Sequence, residues 1–242
     1  LDPVLAGKVL KLVNSAYFGF SEKVTSTVRA IIMLGLNTVK NLALSTAAME
    51  ALSTKAGGGL DMEQFWQHLL ATGVCAKLIA RKVGVHKNFL EDYFLCGLMH
   101  DIGKIIVNRI NPAGYAKVVA AAEKSRKPLH LYETAVFGIN HAEIGGLLGQ
   151  KWGLQESITQ AMELHHTPTQ ARPETRQLVY AIFVSNNYCK QIKIGEGGSP
   201  YIATVPDEVW TELGITQDVV ASLEGYLLEG VERASVFLQN SQ

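Results

Sequence analysis

Apolar positions recur three and four residues apart along nearly the whole chain, and alternating strand-like stretches are scarce. That pattern predicts an all-α fold. Leu5, Val9, Leu12 and Val13 line one face of a first helix that Asp2 caps, Pro3 starts and Asn14 ends. A second helix over residues 25–34 stops at Gly35, and Asn37 stands where it can cap a third that reaches Leu52. The glycine run within residues 54–60 reads as a flexible joint between two helical layers. Beyond it the periodicity predicts helices over residues 62–83, 88–108, 112–124 and 128–137, one from Asn140 to Lys151, then 155–165 and 174–192. Residues 195–200 read as a turn, and two C-terminal helices follow, split at Gly214. Three parts result: an N-terminal helical subdomain (1–57), a helical core (58–200) and C-terminal helices (201–242).

Composition narrows the function classes. A chain of 242 residues that is 48% hydrophobic buries a substantial core. Its formal net charge is zero, which gives no support to general electrostatic capture of nucleic acid or of an acidic membrane face. No apolar run approaches the ~18 to 20 residues of a membrane span, and no signal peptide layout opens the chain, so a cytoplasmic protein is expected. Cys75, Cys96 and Cys189 never form a CxxC pair and read as reduced, buried thiols. The second and third helices have helix-turn-helix spacing around Gly35, but the third opens Asn37-Thr38-Val39-Lys40-Asn41 with a single cation. DNA-reading helices carry more Arg and Lys, so packing explains this pair better and no nucleic-acid partner is expected.

The candidate chemistry lies in the histidines. His68 shares a helix face with Gln64, four residues earlier. His100 and Asp101 stand in Leu98-Met99-His100-Asp101-Ile102-Gly103-Lys104, whose apolar lead-in buries a carboxylate that then needs a partner. Lys104, one turn beyond His100, is placed to meet a phosphate or another anion on that face. His141 follows the Asn140 cap, and His165-His166 end a helix just before Pro168. Neutral imidazoles with one carboxylate suit Zn, Fe or Mn. Adjacent histidines diverge by about 100° on a helix, so His165 and His166 reach one site only where the helix ends. Glu143 and Glu163 are the expected acceptors for the outer ring N–H groups. His86 and His130, in polar surroundings, are expected in solvent.

In that order His68, His100-Asp101-x-Gly103-Lys104, His141 and His165-His166 resemble the HD superfamily of metal-dependent phosphohydrolases, and within it the HD-GYP branch that hydrolyses cyclic dinucleotides. Asp2-Pro3-Val4-Leu5, the run from Lys8 to Ala16 and Ala30-Ile31-Ile32-x-Leu34-Gly35 are similar to the HDOD domain, an HD-related output module of bacterial signalling. The resemblance covers residues 1–193. It implies an N-terminal helical layer packed on an HD-like helical core, protein partners in signalling, and a longer parent polypeptide with helices ahead of Asp2-Pro3.

Departures from the family pattern decide what the site is expected to do. Gln64 stands where HD-GYP proteins have Glu, Asn186 stands where the HD superfamily has its closing Asp, and no Gly-Tyr-Pro follows His166. Two divalent ions against Asp101 alone would leave about +2 after one bridging hydroxide, so a single transition metal fits better than a pair. Amides are weak ligands and are not general bases near neutral pH. The expectation is a regulatory module holding one transition ion (Fe, Mn or Zn) on His68, His100, Asp101, His141, His165 and His166. Gln64 and Asn186 would be weak or outer ligands. The alternative is a metal-dependent phosphohydrolase of nucleotides, with Asp101 and Lys104 as candidate catalytic residues.

Overall fold

In the computed structural model, residues 3–15, 17–52 and 58–235 are described, with no strand among them. The N-terminal layer is α1 (Pro3–Val13), α2 (Thr27–Leu34) and α3 (Leu36–Leu52). Ser26 caps α2 by accepting from the Arg29 amide at 3.1 Å, and Gly35 ends it with φ 86°. The Gly35 carbonyl already accepts from Val39 N at 3.2 Å, so one glycine closes α2 and opens α3. Asn37 therefore lies inside α3 and not at its cap, contrary to the sequence reading.

The core begins with α4 (Met62–Lys82), α5 (Leu90–Met99) and α6 (Ile102–Ile110). α4 and α5 cross with their backbones touching. A Cβ on Gly97 would fall 2.3 Å from the Gly73 Cα, and one on Gly73 would fall 2.6 Å from the Phe94 carbonyl oxygen. Gly97→Ala is therefore expected to cost about 1–3 kcal/mol by overpacking, read as a lower urea midpoint at unchanged slope.

The continuous helix predicted over residues 88–108 is broken. It starts with a 3-10 turn at Lys87–Phe89, and α5 stops at Met99, leaving His100 and Asp101 at the junction with α6. A Cβ on Gly103 would lie 2.0 Å from the His141 carbonyl oxygen. α6 is seated directly on the start of α9. The break turns a hydrophobic helix into two and leaves the His-Asp step between them.

Next come α7 (Pro112–Ser125), α8 (Leu129–Phe137), α9 (His141–Lys151), α10 (Glu156–Leu164) and α11 (Pro173–Gln191). Asn140 and Glu143 form a reciprocal capping box at the start of α9. α11 packs on α4, α5 and α10, while α9 packs on α10 and α6. Among the described residues the C-terminal part holds three helices where two are predicted: α12 (Asp207–Leu213), α13 (Gln217–Ala221) and α14 (Glu224–Ala234). Val220, Leu223, Leu227 and Val231 keep helical spacing across the extra break, which hides it from periodicity. α14 lies across α4.

Most of the predicted joint, residues 54–57, lies outside the described residues. Its end is packed: a Cβ on Gly59 would sit 2.8 Å from the Ala116 Cα. No described helix is long and apolar enough to cross a membrane.

Candidate metal centre

Five histidines meet around the broken helix. His68 comes from α4, His100 and Asp101 from the break, His141 from the first turn of α9, and His165 and His166 from just beyond α10. His68, His100, Asp101, His141 and His165 are fully buried, and His166 is partly buried. Because α10 stops at Leu164, the two adjacent histidines escape helical divergence, and their ring centroids lie 4.1 Å apart.

Tautomers in this cluster are set from outside it. Nδ1 of His100 donates to the Gly97 carbonyl at 2.7 Å, and Nδ1 of His165 donates to the Met162 carbonyl at 2.9 Å. Nδ1 of His141 donates to Glu133. A carbonyl or carboxylate oxygen only accepts, so in their neutral form these three rings carry their proton on Nδ1 and turn an Nε2 lone pair inward. What they face is the Asp101 carboxylate: Oδ1 lies 3.1 Å from His141 Nε2 and 3.2 Å from His165 Nε2, and Oδ2 lies 3.3 Å from His100 Nε2. Nε2 of His141 also approaches Nε2 of His166 to 2.8 Å. Asp101 Oδ1, His100 Nε2 and His165 Nε2 are buried without a hydrogen-bond partner. Lone pairs directed at a carboxylate repel unless a cation lies among them, so the donors fit a metal ion. Two ligand groups share Asp101, one with His141, His165 and His166, the other with His68 and His100. Imidazole nitrogens with a carboxylate oxygen fit Zn, Fe or Mn.

Two lysines belong to the site. Lys104 is fully buried and donates to Asp101 Oδ2 at 2.6 Å and to the Gly197 carbonyl at 2.8 Å. Lys190 lies nearby, its ammonium pushed down to about 8 by burial and by repulsion from Lys104. Burial acts to raise the Asp101 carboxyl, but the facing imidazoles of His100 and His141 and the Lys104 ammonium hold it well below the usual carboxylate range. Burial also pushes His165 down to about 3 and lowers His68 and His166, favouring the neutral ligand form. His141 is raised: burial acts against its charged form, and Glu133 outweighs it.

Several sequence expectations are corrected here. Glu133, not Glu143 or Glu163, accepts the outer N–H of His141, because Glu143 is engaged in the α9 cap and Glu163 is exposed. Asp101 is thus not the sole carboxylate: Glu133 is fully buried and also accepts from Tyr115 Oη at 2.9 Å. His130 is not in solvent. It stacks on His166 with centroids 4.2 Å apart, and burial pushes it down to about 4. His86 is exposed as expected. Asn186 reaches His68, its Oδ1 3.1 Å from Nε2. The Gln64 backbone carbonyl accepts from Glu196 N at 2.9 Å, in the loop that carries Gly197. Cys75, Cys96 and Cys189 are buried free thiols. A cavity of about 150 Å³ opens beside the cluster, lined by His130, His165, His166, Asn186 and Lys190 among others.

An all-helical scaffold here gathers histidines around one His-Asp step at a helix break. The chain belongs to the HDOD domain family, whose profile matches residues 1–168. An uncharacterized protein of Treponema pallidum (strain Nichols) is 28% identical over 200 residues, which is 83% of this chain and 38% of that one. The chain thus spans well under half the length of this curated relative. Among solved structures, an HDOD domain protein of unknown function from Geobacter sulfurreducens has a TM-score of 0.76 at 24% identity, covering 98% of this chain and 83% of its own. A Shewanella amazonensis SB2B protein named as a phosphohydrolase has a TM-score of 0.69 at 25% identity, with the same coverages. A Marinobacter aquaeolei VT8 protein named for signal transduction has a TM-score of 0.73 at 22% identity, covering 99% of this chain and 52% of that one.

Proposed function

We propose that this HDOD domain is a regulatory module that keeps one transition metal ion in its histidine cluster and presents its helical surface to signalling proteins. The observation that carries the metal is the inward set of Nε2 lone pairs on His100, His141 and His165, each with Nδ1 engaged in a hydrogen bond outside the cluster. An ion there would supply a fixed positive charge and Lewis acidity. Three features favour regulation over hydrolysis. Lys104 is spent on Asp101 and Gly197 in the interior, so it is not presented to a phosphate. Asn186 is an amide against His68. The adjoining cavity of about 150 Å³ is smaller than the roughly 300–1,000 Å³ of small-molecule sites.

The surface supports the partner half of the proposal. Val28 and Ile32 on α2 and Leu36 at the start of α3 are 64%, 78% and 64% exposed, with Met33 beside them. Exposed apolar side chains grouped within nine residues suit a protein partner. The second reading, a metal-dependent phosphohydrolase, draws on the Shewanella relative's name and on the Lys190, His130 and His166 edge of the cavity.

Elemental analysis of the purified protein is expected to find about one equivalent of transition metal per chain. Incubation with a generic phosphodiester and with cyclic dinucleotides, plus added Mn or Fe, is expected to give no turnover. A metal-free wild type would overturn the metal reading, and metal-dependent turnover would promote the phosphohydrolase.

A further inference from the structure

We infer that Lys104 is a built-in cation that closes one half of the cluster to metal and confines the ion to the other half. This rests on the metal reading above and specifies which of its residues take part. Asp101 divides the cluster. Its Oδ1 faces His141 and His165, with His166 in the same group, whereas its Oδ2 faces His100 at 3.3 Å and the Lys104 ammonium at 2.6 Å.

The Oδ2 half is already supplied with positive charge. Lys104 follows Asp101 by three residues, so the first turn of α6 brings its ammonium back over the carboxylate. Gly197 pins the other side of the ammonium through its carbonyl. The loop carrying Gly197 cannot easily retreat, because Glu196 N donates to the Gln64 carbonyl and the loop lies against His68. A Cβ on Gly195 would fall 2.3 Å from His68 N, and one on Gly197 would fall 2.9 Å from His68 Cδ2. A divalent ion on this side would face an ammonium in a site without solvent, where like charges repel strongly.

His68 is diverted as well. Asn186 Oδ1 can only accept, so the 3.1 Å contact places the His68 proton on Nε2, and the remaining lone pair is on Nδ1, buried without a partner. One carboxylate oxygen is neutralised and one imidazole is turned to a different acceptor, which leaves His100 as the single inward lone pair of this half. The Oδ1 half carries no ammonium on its carboxylate oxygen. His141 and His165 keep their Nε2 lone pairs directed at Oδ1, and among the described residues no lysine contacts that oxygen.

Metal stoichiometry tests the division. The purified chain is stripped with a chelator, dialysed against excess Co(II) and measured by elemental analysis, with the Co(II) absorption bands as a second readout. One equivalent is expected for wild type and for His68→Ala, and none for His166→Ala or His141→Ala. Asn186→Asp is expected to stay at one equivalent, and adding Lys104→Met to it is expected to raise the count to two. The inference is overturned if wild type or Asn186→Asp alone takes two, if the double variant folds and stays at one, or if His68→Ala loses the ion. If the double variant does not fold, the His68 and His166 variants decide alone. A wild type that takes no metal overturns the metal reading itself, which is a different result from any of these.

Discussion

Asp101→Ala is expected to abolish metal retention and to lower the stability of the fold by about 3–5 kcal/mol, the usual cost of stranding one member of a buried ion pair. Both partners are fully buried, and Lys104 has only the Gly197 carbonyl left once the carboxylate is gone. Asp101→Asn separates charge from packing: it keeps the shape and removes the anion, and a loss of similar size is expected. Combining Asp101→Asn with Lys104→Met removes the stranded charge as well and should recover a substantial part of the loss, a coupling read from the double-mutant cycle. Urea unfolding of wild type, Asp101→Ala, Asp101→Asn, Lys104→Met and the double variant with EDTA present provides the measurement without stabilisation by bound metal. A loss below about 1 kcal/mol for Asp101→Ala would show that the pair is not the electrostatic centre of the cluster.

Much of this site was legible in the chain because its signals are local. Asn140 and Glu143 announce the start of α9, Gly35 announces the end of α2, and the residue types of His68, His100, Asp101, His141, His165 and His166 carry their chemistry on their faces. What stayed hidden depends on contacts between distant segments. Glu133 sits at the middle of a short helix with no motif around it, and only the packing of α8 against α9 brings it to His141. His130 stands in the polar run Lys127-Pro128-Leu129-His130, yet the same arrangement lays it on His166. The break at His100 and Asp101 is invisible to periodicity because apolar positions continue through it. A weak hint existed in Gly103, whose missing side chain lets α6 touch the His141 backbone. Lys104 was read as reaching for an external anion, whereas tertiary structure folds it back on Asp101.

Glu133→Gln is expected to weaken metal binding by roughly 10- to 100-fold while leaving the fold intact, the range typical of outer groups that orient a ligating histidine. Glutamine keeps the volume and can still accept from Tyr115 Oη or the His141 amide, both of which now bond to Glu133. It removes the negative charge that makes the His141 ring a stronger donor. A pH profile distinguishes this from simple disruption. Burial opposes a charged His141 ring, but Glu133 outweighs it and raises the ring's pKa, so in wild type a proton competes with the metal for Nε2 and affinity falls as pH drops through that raised value. With Glu133→Gln the largest raising influence is gone and only that of Asp101 is left, so the residual, weaker affinity should persist to lower pH. Isothermal titration with Zn or Co(II) at several pH values reads both effects together. Affinity within about twofold of wild type across the profile would mean that the Glu133 contact neither orients nor charges the ligand.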